Sequence, residues 1–339
     1  MIMDVEIISV ERIKPSIPTP NHLKEFNLSI LDHLIPAAYA PIVVFYPNQN
    51  DANHFEILEK LKKSLSETLS RFFPLAGTIK DDFTIDCDDQ GACFTIAKVK
   101  NCLLSEFLET PDLKMIAKFL PCGLTSNGTN CVTNIQASEF ECGGISIGVC
   151  ISHRILDGVA LSTFLKSWAD FAREKRSSCP IFLHSLLSLP MARGLKMHRW
   201  RCGVLCSRKG VLKCVSKIDG EFVKKIRGDE GSETMHKCLK EIEEFGCKDV
   251  DHFGFTSWCN LGFYDVDFGF GKPVWVSSID ASGPFFMNLA ILIDRRCGDG
   301  IEAWVTLDEQ EMAILESNQE FQTCASLNQS PLKIGNGDA

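Results

Sequence analysis

The strongest constraint on this chain is a strand that turns directly into a helix near its middle. In Ile145-Ser146-Ile147-Gly148-Val149-Cys150-Ile151-Ser152 every second residue is apolar, the period of a strand with one buried face. Gly158 breaks the run, and residues 159–168 then place apolar side chains at 161, 164, 165 and 168, the stripe of a helix. Asp157 stands just before that helix as a candidate N-cap. His153 therefore leaves the end of a buried strand, where a rigid element can hold it in a cleft. Imidazole ordinarily titrates near neutrality, so such a group can take a proton at pH 7.

The flanking chain supplies partners for this unit. Residues 5–10 predict a first strand, stopped by Pro15, Pro18 and Pro20. Residues 41–46 read as a buried strand, and 132–137 as a natural partner for the strand before His153. Residues 83–86 and 93–99 read as two strands joined by the turn-forming Asp88-Asp89-Gln90-Gly91. Phe55, Leu58, Leu61, Leu65 and Leu69 form a helical stripe, with Asp51 or Asn53 as its cap. Mixed strands and helices of this kind indicate a layered α/β or α+β domain.

Far downstream, Asp267-Phe268-Gly269-Phe270-Gly271-Lys272-Pro273 predicts a tight loop packed on apolar surface. Gly269 and Gly271 are expected in conformations that a Cβ would penalise. Asp-Phe-Gly also spells the kinase magnesium motif, but no Gly-rich loop, V-A-I-K strand or H-R-D loop accompanies it, which excludes a kinase. Gly144-Ile145-Ser146-Ile147-Gly148 matches the G-x-S-x-G nucleophile elbow of hydrolases. That elbow needs its serine on a sharp strand-to-helix turn, whereas Ser146 falls mid-strand, so a serine hydrolase is the lesser alternative.

Composition narrows the class. A chain of 339 residues, 45% hydrophobic and 23% charged, is long enough for one large or two medium domains. A net charge of -9 with no basic, aromatic-interleaved helix argues against a nucleic-acid partner. No apolar run reaches membrane-spanning length, and the first residues lack the basic and apolar regions of a signal peptide. Sixteen scattered cysteines, with no CxxC pair or zinc-like Cys/His spacing, suit a reduced chain that holds no metal. The expectation is a cytoplasmic protein without membrane contact. Residues 185–217 stand out, with eight Lys or Arg, no Asp or Glu, and no clear periodicity.

His153-xxx-Asp157-Gly158, followed by the 267–273 loop, resembles the HxxxD and DFGWGKP motifs of the plant BAHD acyltransferases. Ser29-Ile30-Leu31-Asp32-His33 and Phe72-Phe73-Pro74-Leu75-Ala76-Gly77 are similar to that family's LSxLD and FYPLAGR elements, and 262–268 resembles its vinorine synthase-like branch. The resemblance implies a chloramphenicol-acetyltransferase-like two-domain α/β fold. Its first domain would comprise 1–190 with a returning segment at about 264–307, and its second 191–263 and 308–339. Family members run about a hundred residues longer, a large part of an ordinary domain. The deficit falls between the two motifs, so the second domain is expected to be truncated, without the Arg that pairs with the HxxxD aspartate in the family.

The same resemblance implies transfer of an acyl group, acetyl favoured, from acyl-CoA as co-substrate to an alcohol or amine of a plant specialised metabolite. His153 would be the general base, Asp157 its geometric support, and Asp267 the third member of the catalytic set. Gly158, Phe268, Gly269, Phe270 and Gly271 would be structural, with Phe270 in place of the family's Trp. The implied protein is a monomer that takes small molecules only. The rival reading is a shortened, non-catalytic remnant that folds or binds ligand without turnover.

Overall fold

Strand pairing in the computed structural model is described for residues 3–29, 38–48, 53–121, 130–175, 254–278, 288–328 and 330–332, with a few isolated residues besides. By its contacts the chain forms two units, Met1–Leu187 with Phe253–Ala339, and Ser188–His252. The second lies almost wholly outside the described residues, as do the basic segment 185–217 and most of the expected second domain. The remaining pieces of that domain, 253–263 and 308–339, group with the first unit.

In chain order the first unit begins with β1 (Asp4–Ile13), β2 (Glu25–Asn27), β3 (Tyr39–Tyr46) and α1 (His54–Arg71). After these come β4 (Thr78–Ile79), β5 (Thr84–Asp86), β6 (Ala92–Lys100), α2 (Leu104–Glu109) and α3 (Leu113–Ile116). The central pair β7 (Thr133–Phe140) and β8 (Ile145–Ser152) leads into α4 (Gly158–Ala172). The C-terminal part contains β9 (Gly254–Ser257), β10 (Trp275–Ser277), β11 (Leu289–Asp294), β12 (Ile301–Thr306), α5 (Glu309–Ser317) and α6 (Gln319–Cys324).

One six-stranded sheet, ordered β1-β6-β7-β8-β3-β10, organises the unit. The strand before His153 lies inside it, antiparallel to β7 on one side and β3 on the other, as the sequence led one to expect for 132–137. On one face Ile145, Ile147, Val149 and Ile151 pack against α1 and α4. All four stripe residues of α4 (Leu161, Phe164, Leu165 and Trp168) are buried there. Trp168 donates its indole N–H to the Leu61 carbonyl (3.1 Å) and to Ser64 Oγ (3.0 Å) on α1. Asn53 caps α1, accepting from the Phe55 amide at 3.0 Å. Phe55, expected in the α1 stripe, is 70% exposed, and Ile57 takes the inward position instead.

The other face of β8 departs from expectation. Alternation predicts a solvated side, yet all eight residues of β8 are buried. The 3-10 turn Ala117–Phe119 lies across this face. A Cβ on Gly148 would sit 2.0 Å from the Phe119 carbonyl oxygen, so only glycine admits the crossing chain. Phe119, Phe45 and Phe107 build a second core over it, with ring centroids 5.2–5.6 Å apart. The strands at 84–86 and 92–100 also exist, but they enter different sheets. β5 pairs with β2 and β4, while β6 pairs with β1 and β7. Between them Asp89 accepts from the Thr19 amide (3.0 Å) and from Lys24 Nζ (2.5 Å), which turns the chain away from a hairpin.

At the outer edge, β1 exposes Ile7, Ile8 and Val10, and its register against β6 slips between Ile7 and Ser9. A separate sheet, ordered β12-β11-β9, packs Trp304 of β12 against Trp275 of β10 with ring centroids 5.4 Å apart.

The 267–271 loop fixes the far end of α4. Asp267 Oδ1 accepts from the amides of Gly269 (2.7 Å) and Gly271 (3.1 Å), and Oδ2 lies 3.5 Å from Arg173 at the C-cap of α4. The buried Phe268 ring meets Trp168 edge-on at 4.7 Å, and Phe270 meets Tyr46 at 5.1 Å. Gly269 and Gly271 both have left-handed φ, +95° and +112°, as the loop reading required. Alanine at either position is expected to cost about 1–2 kcal/mol and lower the melting temperature by about 2–8 °C, which calorimetry reads directly.

Burial sets a second prediction. Glu302 on β12 accepts from Trp275 Nε1 at 3.2 Å, yet burial outweighs this bond and Arg295 and raises its pKa. The unfolded chain releases this proton first, so stability is lost as pH rises from the ordinary carboxylate range through the raised folded value. Glu302→Gln keeps an oxygen acceptor for Trp275 without the charge. Its melting temperature should exceed that of the parent at pH 7, and the gap should close as pH falls to about 4. A variant that melts lower at pH 7 shows that the ionised form is favoured instead.

Candidate active site

The His153 turn is assembled from both neighbours of β8. Ser152 donates its amide to the Val132 carbonyl (3.0 Å), next to β7, and His153 donates its own to the Ala38 carbonyl (2.8 Å), next to β3. The imidazole is half-buried, and its Nδ1 lies 3.2 Å from the Leu156 carbonyl oxygen. A carbonyl oxygen can only accept, so this bond places the proton on Nδ1. Nε2 is left with its lone pair, the form a general base requires.

Asp157 acts as the N-cap the sequence indicated. Its Oδ1 accepts from the Ala160 amide at 2.8 Å, and its carbonyl accepts from the Leu161 amide at 2.9 Å. Among the described residues its carboxylate has no ion pair. Gly158 serves packing. A Cβ there would lie 3.2 Å from Leu261 Cδ1 and 3.4 Å from Trp258 Cδ1. That wall is tied to α4 through the Leu261 carbonyl, which accepts from Ser162 Oγ (2.5 Å) and Lys166 Nζ (2.6 Å).

Arg154 was not singled out by the sequence. Its Nε donates to the Ile35 carbonyl (3.1 Å) and its Nη1 to Asp82 Oδ1 (2.8 Å), lashing the His153 turn to two loops distant in sequence. Trp258 and Leu261 were missed for the same reason: nothing local to either residue signals a contact with Gly158.

The structure does not bring Asp267 to His153. The two stand at opposite ends of α4, whose 15 residues span about 22 Å. The Asp267 carboxylate is occupied by two loop amides and Arg173, so its place is in the scaffold. Ser146 is also unsuited to chemistry. It is the second residue of β8, is fully buried, and its Oγ has no hydrogen-bond partner among the described residues, so the sharp turn of a nucleophile elbow is absent.

Comparison with known proteins gives the relatives of the chain. The transferase family matches residues 3–199 and 206–322, so its break falls within the basic stretch where the sequence reading lost the resemblance. A limonoid 7-O-acetyltransferase of Citrus sinensis is 32% identical over 460 positions, covering 97% of this chain and 100% of the relative. Vinorine synthase of Rauvolfia serpentina is 29% identical over 415 positions, covering 93% of this chain and 97% of the relative. The crystal structure of a vinorine synthase superposes with a TM-score of 0.69 at 26% identity, covering 97% of this chain and all of that one. The CoA complex of F. sporotrichioides TRI101, at 13% identity and a TM-score of 0.59, shares the two-domain fold. Against an alignment of 460 positions, these 339 residues make the chain shorter than its relatives. The chain is thus a shortened member of the BAHD family of acyl-CoA-dependent acyltransferases.

Proposed function

We propose that this protein transfers an acetyl group from acetyl-CoA to a hydroxyl of a plant specialised metabolite, with His153 as general base. The observation that carries the reading is the bond between His153 Nδ1 and the Leu156 carbonyl, which leaves Nε2 free to accept a proton. In the reaction Nε2 takes the acceptor's hydroxyl proton as its oxygen attacks the thioester carbonyl. The tetrahedral intermediate collapses, the C–S bond breaks, and CoA leaves as a thiolate that receives the proton back. The turn at the end of β8 holds the ring, and Asp157 holds the helix start behind it. Asp267 takes no part in proton transfer in this scheme. The names of the relatives support an alcohol acceptor and an acetyl donor, among them a stemmadenine O-acetyltransferase of Catharanthus roseus. The enzyme would work as a cytoplasmic monomer without a metal. No helix among the described residues is long and apolar enough to cross a membrane.

The short chain favours a second reading, a remnant that binds ligand without turnover. One assay separates the two: purified protein is given acetyl-CoA with limonoid 7-alcohols and stemmadenine as first acceptors, and thiol release is followed. His153→Ala should lower kcat/KM by about 10²–10⁴ with the melting temperature unchanged, while Ser146→Ala should leave turnover intact. Acetyl-CoA binding by calorimetry without thiol release across the acceptor panel supports the remnant. Loss of activity in the serine variant alone overturns the histidine assignment.

A further inference from the structure

His153 and Arg154 are neighbours in one turn but bond to different parts of the chain. The imidazole reaches forward three residues, to the Leu156 carbonyl. The guanidinium reaches back 119 residues to the Ile35 carbonyl, which accepts from Nε at 3.1 Å, and 72 residues to Asp82. Asp82 Oδ1 accepts from Nη1 at 2.8 Å, and its carbonyl oxygen lies 3.5 Å from the same nitrogen. The Arg154 side chain is 19% exposed and that of Asp82 74%. An exposed ion pair adds little by itself, so the part-buried bond from Nε to Ile35 is the firmer of the two anchors.

Both anchors are themselves held. The Ile35 amide donates to the Asp32 carbonyl (3.2 Å) and the Asp32 amide to the Ser29 carbonyl (3.0 Å), while the Ser29 amide donates to Asp32 Oδ2 (2.6 Å). Beside Asp82, the Phe83 amide donates to Asp81 Oδ1 (2.8 Å), and the Phe83 carbonyl accepts from the Leu28 amide (2.8 Å). The two anchors thus meet at Leu28 and Ser29 and form one base under the guanidinium. Ser29 and Asp32 belong to the segment resembling LSxLD, for which the acyl-transfer scheme has no other use.

We propose that Arg154 is the positioning residue of His153, gripping Ile35 and Asp82 so that the imidazole keeps its bond to Leu156 and Nε2 stays open to the acceptor. The His153 amide on Ala38 and the Ile155 amide on Ser152 fix where the turn lies. They leave it free to rock about the chain, and pinning the next side chain removes that rotation. A base displaced by a fraction of an ångström loses much of its effect. Arginine suits the task because its donors form a planar fork, whereas a lysine nitrogen reaches one anchor at a time. The inference rests on the reading of His153 as general base.

The test reads the ring itself. The full chain is labelled with ¹⁵N-histidine, the His153 signals are assigned by their loss in His153→Gln, and spectra are taken at about pH 8.5, above the ordinary imidazole range. The parent should carry its proton on Nδ1. Arg154→Met keeps the packed stem and removes every donor, so its ring should spread the proton over both nitrogens, with Arg154→Lys in between. In the acetyl-CoA assay kcat of Arg154→Met should fall about 10–10²-fold with KM for acetyl-CoA within about twofold, and Arg154→Lys should recover part of the loss. A ring that keeps the parent's Nδ1 proton in both variants overturns the proposal and leaves the base assignment standing. A parent ring with its proton on Nε2 overturns the two together. A ring that changes in a chain without turnover upholds the positioning role where the acyl-transfer reading fails.

Discussion

Trp168 joins α4 to α1 and to the 267–271 loop. Its ring is fully buried, its N–H ties α4 to α1, and its face receives Phe268 of the 267–271 loop. A buried indole N–H without an acceptor costs about 1–3 kcal/mol, so the ring holds its depth only because Leu61 and Ser64 meet it. The axis of α4 is thereby fixed at one end by aromatic packing and at the other by the Asp157 cap. The position of His153 follows from that axis and from the strands on either side of β8.

This arrangement explains why the two family motifs stand so far apart. One shapes the start of α4 and the other its end, and the helix between them transmits position without contact. The residue types suit the division. At the start, an imidazole is presented by a turn whose backbone is tied down. At the end, a carboxylate is consumed by two amides and a guanidinium, which leaves a rigid loop.

Much of the central unit was legible in the sequence because its causes are local. Period-two alternation marked β8, the 161-164-165-168 spacing marked α4, and an aspartate before the helix marked its cap. The glycines of the 267–271 loop were legible too, since the need for left-handed backbone is written into the residue itself. What escaped was contributed from a distance. The cover on the second face of β8 comes from 117–119, and its only local sign was the missing side chain at Gly148. Asp89 diverts β5 from β6 through Thr19 and Lys24, some 65–70 residues earlier. The contacts of Arg154 and Trp258 likewise depend on which segments become neighbours, which pattern alone does not state.

The irregularity in β1 bears on how copies of this protein behave toward one another. Among the described residues β1 pairs on one side only, so this end strand of ten residues, with Ile7, Ile8 and Val10 outward, offers backbone and apolar side chains to any other chain. The bulge between Ile7 and Ser9 spoils that template, since an incoming straight strand matched to one half is out of step with the other. Glu6 and Glu11, held by Lys100 and Lys62, add like charges that a second β1 would have to face. One misplaced residue thus limits open-ended self-assembly at this margin of the sheet.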